Sequence, residues 1–273
     1  MRNPRGSPTY FKNVDYDRRY SGVNPKLGLL WQTDATTQWF ANISRSYEPP
    51  TAIEFYNSDG TTSAQKATTV ELGTRGATPH LNWQMAVFHS QIKDELLSVP
   101  IRNSAGDITG SQGGNMPRTV HAGLELRLDG RISREGVTGW LDWDLSYTFS
   151  RFRHDHDATF GTNRLPVVPM HFGQASMLYR HPGGMFAGPD WVFSSSAFVD
   201  QANTLRAPGY GVANFTIGYA DPAGRYRVFL NAKNLGDKRY AASTQFMALA
   251  APNEAAFNPG LRRALYAGAE IKW

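Results

Sequence analysis

The last nine residues alternate without a break. Leu265, Ala267, Ala269, Ile271 and Trp273 fall on one side of an extended chain, and Tyr266, Gly268, Glu270 and Lys272 on the other. A strand with one apolar and one polar face has this period of two, whereas a helix would scatter both sets around its axis. The pattern recurs upstream. Val120, Ala122, Leu124, Leu126 and Leu128 oppose His121, Gly123, Glu125 and Arg127, and Leu141, Trp143, Leu145, Tyr147 and Phe149 oppose Asp142, Asp144, Ser146, Thr148 and Ser150. No apolar run approaches the roughly 18 residues of a membrane helix, and the mean hydropathy is −0.44. Two-faced strands average out as mildly polar, so both values fit an all-β, antiparallel transmembrane barrel. Its apolar face would meet lipid and its polar face a lumen.

Eleven strands are expected: 22–32, 37–46, 67–76, 80–93, 118–128, 139–150, 170–180, 190–199, 210–220, a bent strand over 225–245, and 261–273. Residues 1–21 are polar, carry Pro4 and Pro8, and read as loop. The connections sort into two kinds. Those at 33–36, 77–79, 129–138, 181–189 and 221–224 are the shorter set; those at 47–66, 95–117, 151–167, 200–209 and 246–260 are mostly longer. Short turns at one rim and long loops at the other is the plan of an outer-membrane barrel with periplasmic turns. The C-terminus then falls on the periplasmic side. Bacterial single-chain barrels usually have even strand numbers, and a free half-sheet would leave two edges unpaired in lipid. Eleven strands are therefore expected to be half of a larger barrel. The basic start, Met1 to Pro8, has no apolar segment of a secretory signal behind it, which carries the same expectation.

The net charge of +5 comes from scattered Arg and Lys rather than a basic block, giving nucleic-acid binding little support. Cysteine is absent, so thiolate metal sites and disulfides are excluded. The most reactive-looking cluster is Arg153-His154-Asp155-His156-Asp157 in the 151–167 loop. Its His-x-His pair with flanking carboxylates has the donors to bind a metal or grip an anionic metal chelate; the same residues equally suit a solvated external loop. Arg45, Tyr47 and Arg153 are placed at the loop rim, where a planar guanidinium fork suits an anionic ligand. Glu71, Arg75, Glu125, Arg127, Asp142 and Asp144 read as cross-strand pairs lining a polar interior. Trp31, Trp39, Trp83, Trp140, Trp143, Trp191 and Trp273 read as interfacial or lipid-facing anchors. No nucleophile–base motif, phosphate-cradling glycine loop or spaced zinc set is present. No catalytic residue, resident metal or cofactor is assigned.

Asn234-Leu235-Gly236-Asp237-Lys238-Arg239-Tyr240 resembles the Asn-Leu-x-Asp-x-x-Tyr motif near the C-terminus of TonB-dependent outer-membrane receptors. The approach to the last strand at Asn258-Pro259-Gly260-Leu261-Arg262-Arg263 and the aromatic end at Trp273 are similar to the same family. Residues 25–31, 42–50, 70–73 and 123–126 resemble its mid-barrel strands. The resemblance covers about 20–273, so 1–21 reads as a loop remnant and 22–273 as the C-terminal half of the barrel. It implies a 22-stranded barrel with a plugged lumen, importing siderophore-type iron chelates, haem, cobalamin or similar bulky cofactors. Signal, TonB box, plug and first half-barrel are absent from these residues. The implied partners are outer-membrane lipid, the TonB system acting through a plug, the barrel-assembly machinery and a small-molecule ligand such as a ferric chelate, without nucleic acid. Asn234, Leu235, Asp237 and Tyr240 are expected to form a structural bend near the periplasmic rim, and Trp273 to serve sorting and assembly. The rival readings are a self-contained passive porin or surface adhesin barrel, and a soluble β-sandwich binding domain.

Overall fold

A computed structural model of the chain describes residues 18–52, 54, 58, 62–247, 249, 250 and 256–272. Most of the loop expected over 1–21, and Trp273, lie outside them. The described residues hold β1 (Lys26–Gln32), β2 (Thr37–Glu48), β3 (Gln65–Ala77), β4 (Leu81–Arg102), β5 (Ile108–Ile132), β6 (Trp140–His154), β7 (His171–Arg180), β8 (Met185–Ser194), β9 (Ala197–Phe198), β10 (Arg206–Ala207), β11 (Tyr210–Ala220), β12 (Tyr226–Lys233), β13 (Ala241–Thr244), β14 (Phe257–Pro259) and β15 (Ala264–Ile271). Eleven of these form one antiparallel sheet, in the order β1 to β8, then β11, β12 and β15. The remaining four make two small ladders, β9 with β10 and β13 with β14. The expected eleven-strand meander is the observed one, open at β1 and β15 among the described residues. No helix among them is long and apolar enough to cross a membrane.

Register carries the two-faced pattern from strand to strand. Leu29, Ala41, Leu72, Val87, Leu124 and Phe149 are successive cross-strand partners from β1 to β6. Ala187, Ile217, Leu230 and Ala267 continue such a row through β8, β11, β12 and β15. Leu29, Leu72, Val87, Ile217 and Leu230 are all exposed, as side chains facing a lipid solvent must be in a single-layer wall. A soluble sandwich would bury them in a second layer, and no such layer covers them among the described residues.

The opposite face is polar and paired. Asn42 donates to Glu71 at 2.7 Å, Arg75 to Gln38 at 2.9 Å, and Asn82 to Asp129 at 2.8 Å. Asp142 takes Arg131 at 2.7 Å and Arg180 at 2.8 Å, while Ser176 donates to Asp144. Phe88, which interrupts the apolar pattern of β4, belongs to this face. Its ring lies across Gly123, where an added Cβ would stand 2.7 Å from it. Phe186 covers Gly218 in the same way at 2.4 Å. A ring over a cross-strand glycine fills the gap that the missing side chain leaves in the ladder.

Four expectations change. Residues 95–117 are not a loop: β4 and β5 run on as a long hairpin, and only 103–107 turn. Away from lipid both faces are wet, so the ladder continues where the period-two signal has vanished. The bent strand over 225–245 ends at Lys233, and its continuation pairs instead as β13 with β14. Trp140 sits on the polar face, with Arg131 over its ring at 4.9 Å. Finally, β12 rises from the short turn after Asp221, pairing Tyr226 with Ile271 at its start and Lys233 with Ala264 at its end. Asn234–Tyr240 therefore lies toward the end bearing the long connections, not at the periplasmic rim.

Candidate functional site

At the long-connection end, three loops lock together over the polar face. Val199, Ala207, Met247 and Ala256 form a small buried core, with Leu205 and Ala250 against it. Its polar seam is also buried. Asp200 accepts from the Thr204 and Leu205 amides at 2.9 and 3.1 Å, Asn163 donates to the Gln201 carbonyl at 3.0 Å, and Arg164 N–H donates to Asn203 at 3.0 Å. Gln201 donates across to the Ser98 carbonyl on β4. Buried backbone and amide groups that find one another in this way hold loops as firmly as strands do.

Beneath the loops, Thr148, Phe172, Ser194 and Tyr210 form one inward row over β6, β7, β8 and β11. They line a cavity of about 490 Å³ together with Ser150, Val168, Pro208 and Ser243. Tyr210 stands 4.5 Å from the Tyr240 ring. This wall offers hydroxyls and rings without a charged side chain, a surface suited to a bulky ligand held by several weak hydrogen bonds.

A second inward cluster flanks the first. His121 lies flat on Phe152 at 4.1 Å, and its Nε2 is 3.3 Å from Glu95, within ion-pair range but not aligned as a hydrogen bond. Thr119 donates to the same carboxylate. His154 is fully buried beside Phe160, with no hydrogen-bond partner at either ring nitrogen among the described residues.

The residues expected to bind substrate are placed as follows. His154 ends β6 pointing inward, whereas His156 is exposed and bonded to Asp155 at 3.0 Å. The two histidines thus occupy different environments. Among the described residues no group of three or more His, Cys, Asp or Glu is arranged to hold a metal. Arg45 and Tyr47 continue the alternation of Trp39, Ala41 and Ile43, which puts them on the apolar, outward face; Arg153 follows Phe149 and Arg151 to the same side. The structure does not bring these three together with His154. Sequence reasoning missed Glu95, Thr119, Gln201 and Tyr210. Extending the alternation of β5 back through Thr119 finds one of them; Glu95 lies on β4, just past Asp94 at φ 57°.

The family motif is a clip. Asn234, at φ 51° and 2% exposed, donates to the Lys238 and Leu261 carbonyls and accepts from the Lys238 amide, each at 2.8 Å. Its own amide donates to Asn214 at 2.8 Å. Asp237 receives Arg262 Nε at 2.8 Å and the Arg263 amide at 3.0 Å. Tyr240 lies over Gly260, where a Cβ would meet the ring at 2.2 Å. Leu235 is exposed, and its amide bonds to the Ala213 carbonyl. The clip thus ties the end of β12 to the approach of β15.

Residues 2–235 match the family model described as TonB dependent receptor-like, beta-barrel. The pesticin receptor of Yersinia enterocolitica is 28% identical over 183 residues, covering 65% of this chain and 25% of its own length. The metal-pseudopaline receptor CntO of Pseudomonas aeruginosa is 22% identical over 261 residues, covering 89% and 34%. The chain thus spans about a quarter to a third of these relatives. Among solved structures, the ferric-catecholate import receptor Fiu of E. coli K12 superposes with a TM-score of 0.71 at 22% identity, covering 98% of this chain and 38% of Fiu.

Proposed function

Because the chain belongs to the TonB-dependent receptor β-barrel family of the outer membrane, we propose that it builds the C-terminal half of a barrel wall for active uptake of a siderophore-type iron chelate or similar bulky cofactor. Its open edges, β1 and β15, would then pair with further strands, since unpaired edges are not viable in lipid. Energy would come from the TonB system through a plug in the lumen, and the clip around Asn234 would serve folding by the barrel-assembly machinery.

The observation that carries this reading is the loop-roofed inward cavity beside Tyr210 and Phe172. The name of one relative, metal-pseudopaline receptor, favours a chelate over a bare ion. A passive porin would need an open wall, whereas here folded loops stand over the polar face.

The test is uptake of a panel of ferric chelates by iron-starved cells whose receptor contains this chain. One chelate should support growth in a TonB-dependent manner. Tyr210→Ala should reduce its uptake about tenfold, a loss of ~1.4 kcal/mol of binding, with receptor levels unchanged. Passive entry of small solutes without energisation would contradict the proposal and favour the porin.

A further inference from the structure

His154 is the last residue of β6 and the root of the loop over 155–167. The outward apolar row of β6 ends at Phe149, so His154 stands about 16 Å beyond it along the strand, outside the lipid-facing band. The loop folds back onto the strand it leaves. The His154 amide donates to the Asn163 carbonyl at 2.9 Å, and the Leu165 amide to the Phe152 carbonyl at 2.9 Å. Phe160 and Leu165 are buried, and the Phe160 ring lies 5.3 Å from the His154 imidazole. The same segment then supplies Val167, Val168 and Pro169 to the cavity wall. How the loop seats on His154 therefore sets one side of the cavity.

Among the described residues, the charged groups around His154 are all engaged elsewhere. Glu95 on β4 is held by Thr119 and lies 3.3 Å from His121, both on β5. The Asp157 carboxylate in the loop accepts the Thr159 and Phe160 amides at 2.8 and 2.9 Å. Arg153 and Asp155, which flank His154 in sequence, pair with each other at 3.7 Å. Arg164, bridged to Arg153, turns to the Phe198 ring, and exposed His156 bonds to Asp155. Both ring nitrogens of His154 are thus buried without a partner among these groups. A neutral imidazole tolerates that arrangement far better than a cation does. Burial holds His154 below the ordinary histidine range, against the smaller opposing pulls of Asp157 and Glu95.

We propose that the 155–167 loop is an acid-opened flap, seated while His154 is neutral and lifted when a proton on the ring must be hydrated. The sign follows from burial. Because the closed loop disfavours the proton, protons favour the open one. Closure is complete above about 6.5, the ordinary histidine value. Below it, closure weakens about tenfold per pH unit until the lower closed-state value is reached. A loop latched by its carboxylates would instead open near pH 4. The flap acts on the cavity whatever the cargo.

Hydrogen exchange followed by mass spectrometry, on the receptor containing this chain in lipid vesicles, tests the flap. With rates corrected for their intrinsic pH dependence, protection of the 155–167 amides should fall about tenfold from pH 7.5 to 5.5. The amides of 122–128 on β5 should stay protected. His154→Phe, which packs an uncharged ring against Phe160, should keep the loop closed at pH 5.5. Opening of the His154→Phe loop at the wild-type pH overturns the proposal. So does a wild-type loop that stays protected down to pH 5, a readout that needs no variant to fold.

Discussion

Replacing Leu126 with arginine is expected to destabilise the folded barrel by about 2–4 kcal/mol, the cost of a guanidinium at the bilayer midplane. Leu126 lies in the middle of the apolar face, between Met85 on β4 and Tyr147 on β6. An arginine there must either shed its hydration in hydrocarbon or drag water into the lipid. Its neighbour Glu125 points the other way, beside Ala86 and Thr148. Glu125→Arg should change stability by no more than about 0.5 kcal/mol, as an exposed polar substitution does. Urea titration of the receptor in lipid vesicles measures both. Equal losses at 125 and 126 would mean that the sheet does not separate two solvents.

Asn234→Ala is expected to cost about 3 kcal/mol or more, through two mechanisms that add. Alanine cannot meet the Lys238 amide and the Lys238 and Leu261 carbonyls, all satisfied at 2.8 Å by one buried side chain. Each buried group left unpaired costs about 1–3 kcal/mol. The backbone at φ 51° also suits asparagine, whose short polar side chain tolerates the left-handed region, better than alanine. Loss of the heat-modifiable folded band is the readout. Arg262→Ala should do less harm, because its pair with Asp237 is exposed to solvent. The Arg262 guanidinium and the Arg263 amide hold the Asp237 carboxyl below the usual carboxylate range. That contribution is complete above the unfolded value near 3.9 and fades as pH falls through the lower folded value. Arg262→Ala should therefore cost less in strong acid than at neutral pH.

The parts of the fold legible in the sequence were those with a different solvent on each side. Leu124 against Glu125 and Trp143 against Asp144 could be assigned faces from spacing alone, because lipid and water select opposite residue types. Between Glu95 and Pro117 both faces are wet, composition relaxes to Gly, Ser and Asn, and the ladder persists without a signature. The site was less legible for a related reason. Arg45 and Tyr47 look like ligand contacts by residue type, yet their even spacing from Ile43 already places them on the outward side. His154 and His156 looked like a pair, but β6 carries the first inward and ends there. The motif around Asn234 reads as a structural bend in the sequence. Its level followed only from the direction of β12, which leaves a short turn and so must end toward the far rim.

This chain contains no cysteine, so single cysteines introduced from residue 122 to 128 can each carry a nitroxide label in membranes. The central claim is that β5 separates lipid from a water-filled lumen. Labels at 122, 124, 126 and 128 should then collide with dissolved oxygen and be shielded from a water-soluble nickel chelate, with the reverse at 123, 125 and 127. Accessibility that does not alternate along these seven positions, or nickel access on both faces, would contradict the barrel wall described above.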